Sequence, residues 1–114
     1  MSGHISVSKA EGTWVVRAGG AVLAESQSAL ALNEGAGEPV IYFPREDIAM
    51  AFLDASERTS HCPLKGDANY FSIVTKSTTI QDAALSYVAP KDGVKEIAGH
   101  VAFYNTDKVA VERV

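Results

Sequence analysis

The chain is poor in the residues that staple, anchor or steer a protein. One cysteine, Cys62, stands among 114 residues. An intrachain disulfide is therefore impossible, and a four-cysteine zinc ribbon is excluded. A single unpaired thiol suits a reducing compartment. The three histidines, His4, His61 and His100, lack the spacing of metal ligands, so no metal site is expected. No apolar run approaches the length of a membrane-crossing helix, and no membrane partner is expected. The opening residues Met1 to Ser6 lack the basic stretch and apolar run of a secretory signal, which makes the cytoplasm the expected compartment. The ten Lys and Arg residues are scattered and the net charge is −4, so the electrostatic footprint of a nucleic-acid partner is missing. Also missing are the Gly-x-x-x-x-Gly-Lys, Gly-x-Gly-x-x-Gly and Gly-x-Ser-x-Gly patterns, and with them any sign of a cofactor.

What is present is an ordinary globular composition, 46% apolar and 21% charged, in a length that suits one domain over residues 1–114. Such a chain can bury a core without staples. Glycine and proline interrupt it at short intervals, and most of the pieces between read as strands. Thr13 to Arg17 and Ala21 to Glu25, joined by Gly19-Gly20, read as a hairpin. Leu30, Leu32 and Glu34 share one face of a weakly alternating strand. Val40 to Phe43 is apolar on both faces, as a buried strand is. After Pro44 the period changes: Ile48, Ala51, Phe52 and Ala55 predict one amphipathic helix over Arg45 to Ser56. Glu57 to Asp67 reads as a loop. Strands follow over Asn69 to Thr75, Thr78 to Val88 with a bulge at Gln81-Asp82, and Ile97 to Tyr104. The tail from Lys108 alternates like an edge strand. The expected fold is mostly β, an α+β arrangement with one main helix and small antiparallel sheets folded on each other.

Two segments carry more than periodicity. Tyr42-Phe43-Pro44-Arg45-Glu46-Asp47 is followed, a helix's length later, by Cys62-Pro63-Leu64-Lys65-Gly66-Asp67-Ala68-Asn69-Tyr70. With Ser26 to Glu34 before them, and Tyr87 to Pro90 and Phe103-Tyr104 after, they run along nearly the whole chain. In this order and spacing the chain resembles the family of domains of unknown function numbered 427. The resemblance implies a tent-like set of folded sheets around a central cavity, and no established activity. Many members carry a tryptophan two residues before the tyrosine of the aromatic-Pro turn, where this chain has Leu85. The family is sometimes filed under a nucleotidyltransferase heading. Such enzymes pair a Gly-Ser loop with closely spaced carboxylates on Mg²⁺. Here Glu25-Ser26 has the serine without the glycine, and no Asp-x-Asp follows.

The candidate site is drawn from these segments. A lone cysteine is ordinarily a small buried hydrophobe. Cys62 becomes reactive only as a thiolate, which Lys65, three residues on, could stabilise across a turn. Lys65 can also hold phosphate or carboxylate as a point charge. Glu34 continues the Leu30/Leu32 face, and a carboxylate entering a core needs a partner, for which Lys65 and Arg45 are the candidates. Tyr42, Tyr70, Tyr87 and Tyr104 stand on four different elements, and each alone reads as a core aromatic with a satisfied hydroxyl. Together they could line one cavity. The leading expectation is a ligand-binding or enzymatic domain for an unknown small molecule, anionic or zwitterionic. Glu34 is its general base, Lys65 its electrostatic stabiliser and Cys62 its neighbour or nucleophile, with Tyr42, Arg45, Tyr70, Tyr87 and Tyr104 as binding residues. The rival readings are a non-catalytic interaction module or homodimer, pairing through Val109 and Val111 of the tail, and Mg²⁺-dependent nucleotidyl transfer.

Overall fold

The computed structural model describes residues 4–114. Ten strands form two antiparallel sheets. In chain order they are β1 (Ile5–Lys9), β2 (Trp14–Ala18), β3 (Ala21–Ser26), β4 (Leu30–Glu34), β5 (Val40–Phe43), β6 (Leu53–Cys62), β7 (Gly66–Val74), β8 (Thr79–Ser86), β9 (Val101–Phe103) and β10 (Val109–Arg113). The large sheet runs β1-β4-β5-β9-β8-β7-β6 and the small one β10-β2-β3. The hairpin at Gly19-Gly20, the buried β5, the irregularity at Asp82 and the edge position of β10 agree with the sequence reading. β1, which that reading passed over, pairs with β4.

The expected helix is absent. Arg45–Asp47 and Met50–Phe52 are single 3-10 turns, and the chain then enters β6, which also replaces the expected loop up to Cys62. The apolar period was genuine, but its members face different partners. Ile48 bridges to Ala24 and Ala55 pairs with Phe71, while Leu53, outside that period, pairs with Ile73. An isolated helix of that length is marginal in water, and sheet pairing at both ends outweighs it. The last expected strand is shorter as well. Asp92–Ile97 is 3-10 and Gly99 takes a φ of +73°, so only Val101–Phe103 pairs.

Alternation along the strands gives the large sheet two different faces. One face carries Ile41, Phe43, Ile73, Ala84, Val101 and Phe103 and packs with Val16, Leu23 and Val109 of the small sheet in one apolar cluster. The other carries a cross-strand row, Leu30-Tyr42-Ala102-Leu85-Tyr70, read directly from the register. This second face has no sheet over it. Tyr87, Val94 and Ile97, from the connection between β8 and β9, cover it instead. Both Val94 and Ile97 are fully buried.

The large sheet is curled. From β4 to β7 is four strand spacings, which on a flat sheet is roughly 19 Å. Yet the end of β4 meets the turn between β6 and β7, with Lys65 Nζ 3.5 Å from Glu34 Oε1. Register shifts on either side of Phe71, at Ala55/Thr59 in β6 and between Ile80 and Ala84 in β8, mark bulges in those two strands, and bulges raise local twist. The curl makes the second face concave.

Candidate functional site

The concave face gathers most of the residues singled out in the sequence. The segment Cys62 to Gly66 is the turn that closes β6 onto β7, with the Lys65 N–H donating to the Cys62 carbonyl at 3.2 Å. Gly66 takes a φ of +112°, and a Cβ there would lie 3.4 Å from the Ala89 carbonyl oxygen. Only glycine combines that backbone with that close approach. The Lys91 N–H donates to the Lys65 carbonyl at 3.0 Å, so the turn is fastened to the segment that covers the face. The Cys-Pro-x-Lys-Gly element thus shapes the rim of the concave face before it does any chemistry.

Lys65 projects across this rim. Its side chain is only 16% exposed, its Nζ lies 5.7 Å from the centre of the Tyr87 ring, and its ion pair with Glu34 is long. The Glu34 side chain is 47% exposed. An ammonium on a mostly covered side chain, held by one distant carboxylate and one aromatic face, keeps donors free for a further oxygen. Of the two expected partners for Glu34, Lys65 is the one the fold supplies.

The phenols converge. Burial pushes Tyr42 well above the ordinary tyrosine range, and Tyr87, Tyr104, Cys62 and Glu34 push in the same direction. Burial, then Cys62, Tyr70 and Glu34, raise Tyr87 to about 12. Burial and its hydrogen bond to Tyr70 raise Tyr104 to about 12. Tyr70 moves the other way: hydrogen bonds from Ser60 and Tyr104 lower it, burial opposes them, and the Arg58 guanidinium lowers it further. The Ser60 and Tyr70 hydroxyls are 3.0 Å apart. Cys62 is a half-buried free thiol packed at the edge of this cluster. Leu85 lies in the middle of the row, between Ala102 and Tyr70, where its side chain forms floor rather than wall.

Arg45 is not brought into this group. Its Nε donates to the Gly99 carbonyl at 2.6 Å and its Nη2 to Ser86 Oγ at 3.3 Å, and its guanidinium lies 5.5 Å from the Phe71 ring. Phe71 belongs to the opposite, apolar face. Asp47 accepts from the buried Ser26 at 2.6 Å and so ties the first 3-10 turn to β3. Arg58 is the reverse case, a residue that sequence reasoning left in a loop. It stands on β6 with its guanidinium 4.5 Å from the centre of the Tyr70 ring. Its only signal in the sequence is its even spacing from Ser60 and Cys62, which becomes visible once β6 is known to be a strand.

Surface recesses lie elsewhere. One of ≈ 470 Å³ opens along the outer hairpin at Thr59, His61, Asp67 and Asn69, and one of ≈ 250 Å³ lies between the sheets near Trp14 and Phe103. His61 Nδ1 and Asp67 Oδ1 in the first are 2.7 Å apart and both exposed. Among the described residues no group of three or more His, Cys, Asp and Glu side chains could hold a metal ion.

The architecture is that of a small all-antiparallel β domain, with one face of its main sheet sealed by a second sheet and the other rimmed by ionisable groups. The chain belongs to the family described as NTP_transf_9, Domain of unknown function (DUF427), whose model matches residues 6–114. No curated protein matches it. The transferase part of the family's short name has no carboxylate cluster to attach to here, and the described residues do not fit a Mg²⁺ site of that kind.

Proposed function

We propose that this domain binds a small anionic or zwitterionic molecule at the rim of its concave face, in a reducing, cytoplasmic setting. The observation that carries this reading is Lys65, whose side chain is mostly covered and whose ammonium has one distant carboxylate partner, set against Tyr87 and anchored by a glycine-dependent turn. A lysine needed only for solubility would stand in water. One needed only for structure would hold its carboxylate closely. Lys65 receives an oxyanion, Glu34 receives an ammonium or takes a proton, and the Tyr42, Tyr87 and Tyr104 hydroxyls supply neutral donors. Where the ligand reacts, Glu34 is the general base and Lys65 stabilises developing negative charge. Cys62 stands beside them as a thiol wall.

Thermal unfolding against a metabolite panel, with nucleotides offered with and without Mg²⁺, tests this. A ligand at a hundredfold excess over its Kd adds roughly 2.7 kcal/mol to the folded state and moves the midpoint by several degrees. The shift should disappear in Lys65→Ala and shrink in Glu34→Gln. No shift across the panel would turn the account toward an interaction module. Its tail strand would then act through its open backbone edge, because Val109 is 1% exposed and already serves the core.

A further inference from the structure

The geometry points to a second anion-binding position on the same concave face, built by Arg58 with Tyr104 and the Ser60–Tyr70 hydroxyl pair, that takes a phosphate or carboxylate group. The inference rests on the ligand-binding reading above and adds a second contact to it. Three observations support it. First, Arg58 is held in place without being neutralised. It stacks on Tyr70 at 4.5 Å, and among the described residues it belongs to neither of the two ion pairs. A guanidinium kept planar against a ring retains a free N–H fork, which matches two oxygens of one oxyanion.

Second, the backbone that presents Arg58 is braced by polar groups. Ser56 Oγ accepts the Arg58 N–H at 3.0 Å and donates to Asp82 Oδ1. Asp82 donates its own N–H to Ser72 Oγ at 3.1 Å and has a φ of +51°, a left-handed conformation uncommon outside glycine. A bulge in β6 and a strained residue in β8 are thereby locked to each other, and Arg58 leaves the bulge pointing over Tyr70. Strain of this kind persists where the surroundings hold it, and it gathers at working sites.

Third, neutral donors stand beside the guanidinium. Tyr104 is 45% exposed and close to Tyr70 and Arg58, and its hydroxyl, which donates to Tyr70, re-aims toward an anion bound at the guanidinium. Along β6 the distance from Arg58 to Cys62 is four residues, or roughly 13 Å. A molecule with acidic groups at both ends, or one acidic end and one zwitterionic end, spans the two positions.

The test uses ¹⁵N-labelled full-length protein titrated separately with inorganic phosphate and with acetate, reading the Arg58 Nε–H resonance and the Ser60, Tyr70 and Tyr104 amides. The expected result is a saturable shift at Arg58 with at least one of the two anions, and the stronger of the two names the group. Arg58→Lys keeps the charge and loses the fork, so binding should weaken about tenfold. Tyr104→Phe should weaken it roughly threefold. Lys65→Ala should leave the Arg58 response in place. That separates this position from the rim site, which can fail alone. No saturable shift at Arg58, equal binding by Arg58→Lys, or loss of the Arg58 response in Lys65→Ala would each overturn the inference. The amide spectrum of each variant shows directly that it is folded.

Discussion

The two faces of the large sheet are built from the same strands and covered in opposite ways. Phe43 and Tyr42 show the contrast at adjacent positions. Phe43 is fully buried against Phe103, ring edge to ring face at 6.0 Å, beneath a second sheet. Tyr42 is 2% exposed, among phenols, a thiol and a carboxylate, beneath a single connecting segment. The first face contributes cohesion. The second is nearly as buried, yet it concentrates groups that gain or lose protons, and its cover is one turn rather than a sheet. Burial alone therefore does not distinguish a core from a site. The chemistry of what is buried, and the nature of what covers it, do.

Breaking the apolar face should have the largest effect. Phe43→Ala removes a ring from a packed cluster and should cost about 3–5 kcal/mol in urea unfolding. Fastening of the concave face is tested by Gly66→Ala. A side chain at φ +112° and 3.4 Å from the Ala89 oxygen strains the turn and should cost about 1–3 kcal/mol. It should also weaken any rim ligand, which Phe43 variants should not.

Alkaline pH attacks the concave face selectively. Unfolded phenols ionise near pH 10. Tyr87 and Tyr104 hold their protons to about 12, and Tyr42 holds its own beyond the ordinary range. Above about pH 10 the folded chain therefore binds more protons than the unfolded one, and stability falls as pH rises toward 12. Tyr70 has the opposite sign. It ionises earlier in the folded chain and adds stability as pH approaches 10. Urea midpoints followed beside phenolate absorbance should show one early phenol and three late ones. Tyr42→Phe should flatten the alkaline decline. The smallest effect belongs to Lys65→Ala, which loses a partly exposed, long ion pair and should change stability by no more than about 1 kcal/mol.

Much of this was readable from the residues. Alternation gave the hairpin of β2 and β3, the buried β5 and the Leu30/Leu32/Glu34 face. The Cys62 to Gly66 element marked the turn that brings Lys65 to Glu34. What stayed hidden depends on register between distant strands. The period after Pro44 fits a helix until β7 is known to pair with Leu53 and Ala55. Arg45 looked like a partner for Glu34 because both lie in family segments, but it departs toward Gly99 and Ser86 at the other face. The even spacing of Arg58 from Ser60 and Cys62 says nothing of Tyr70 until β6 is known to be a strand with a bulge between Ala55 and Thr59.

The most direct test compares the adjacent pair. Tyr42→Phe and Phe43→Leu each alter one side chain at neighbouring positions on opposite faces. They would be melted with and without the panel molecule that stabilises the wild type most. The account predicts that Tyr42→Phe keeps the midpoint within about 2–3 °C and loses most of the ligand-induced shift, whereas Phe43→Leu lowers the midpoint by about 5 °C or more and keeps the shift. An unchanged ligand shift in Tyr42→Phe, with its loss in Phe43→Leu, would contradict the assignment of ligand binding to the concave face.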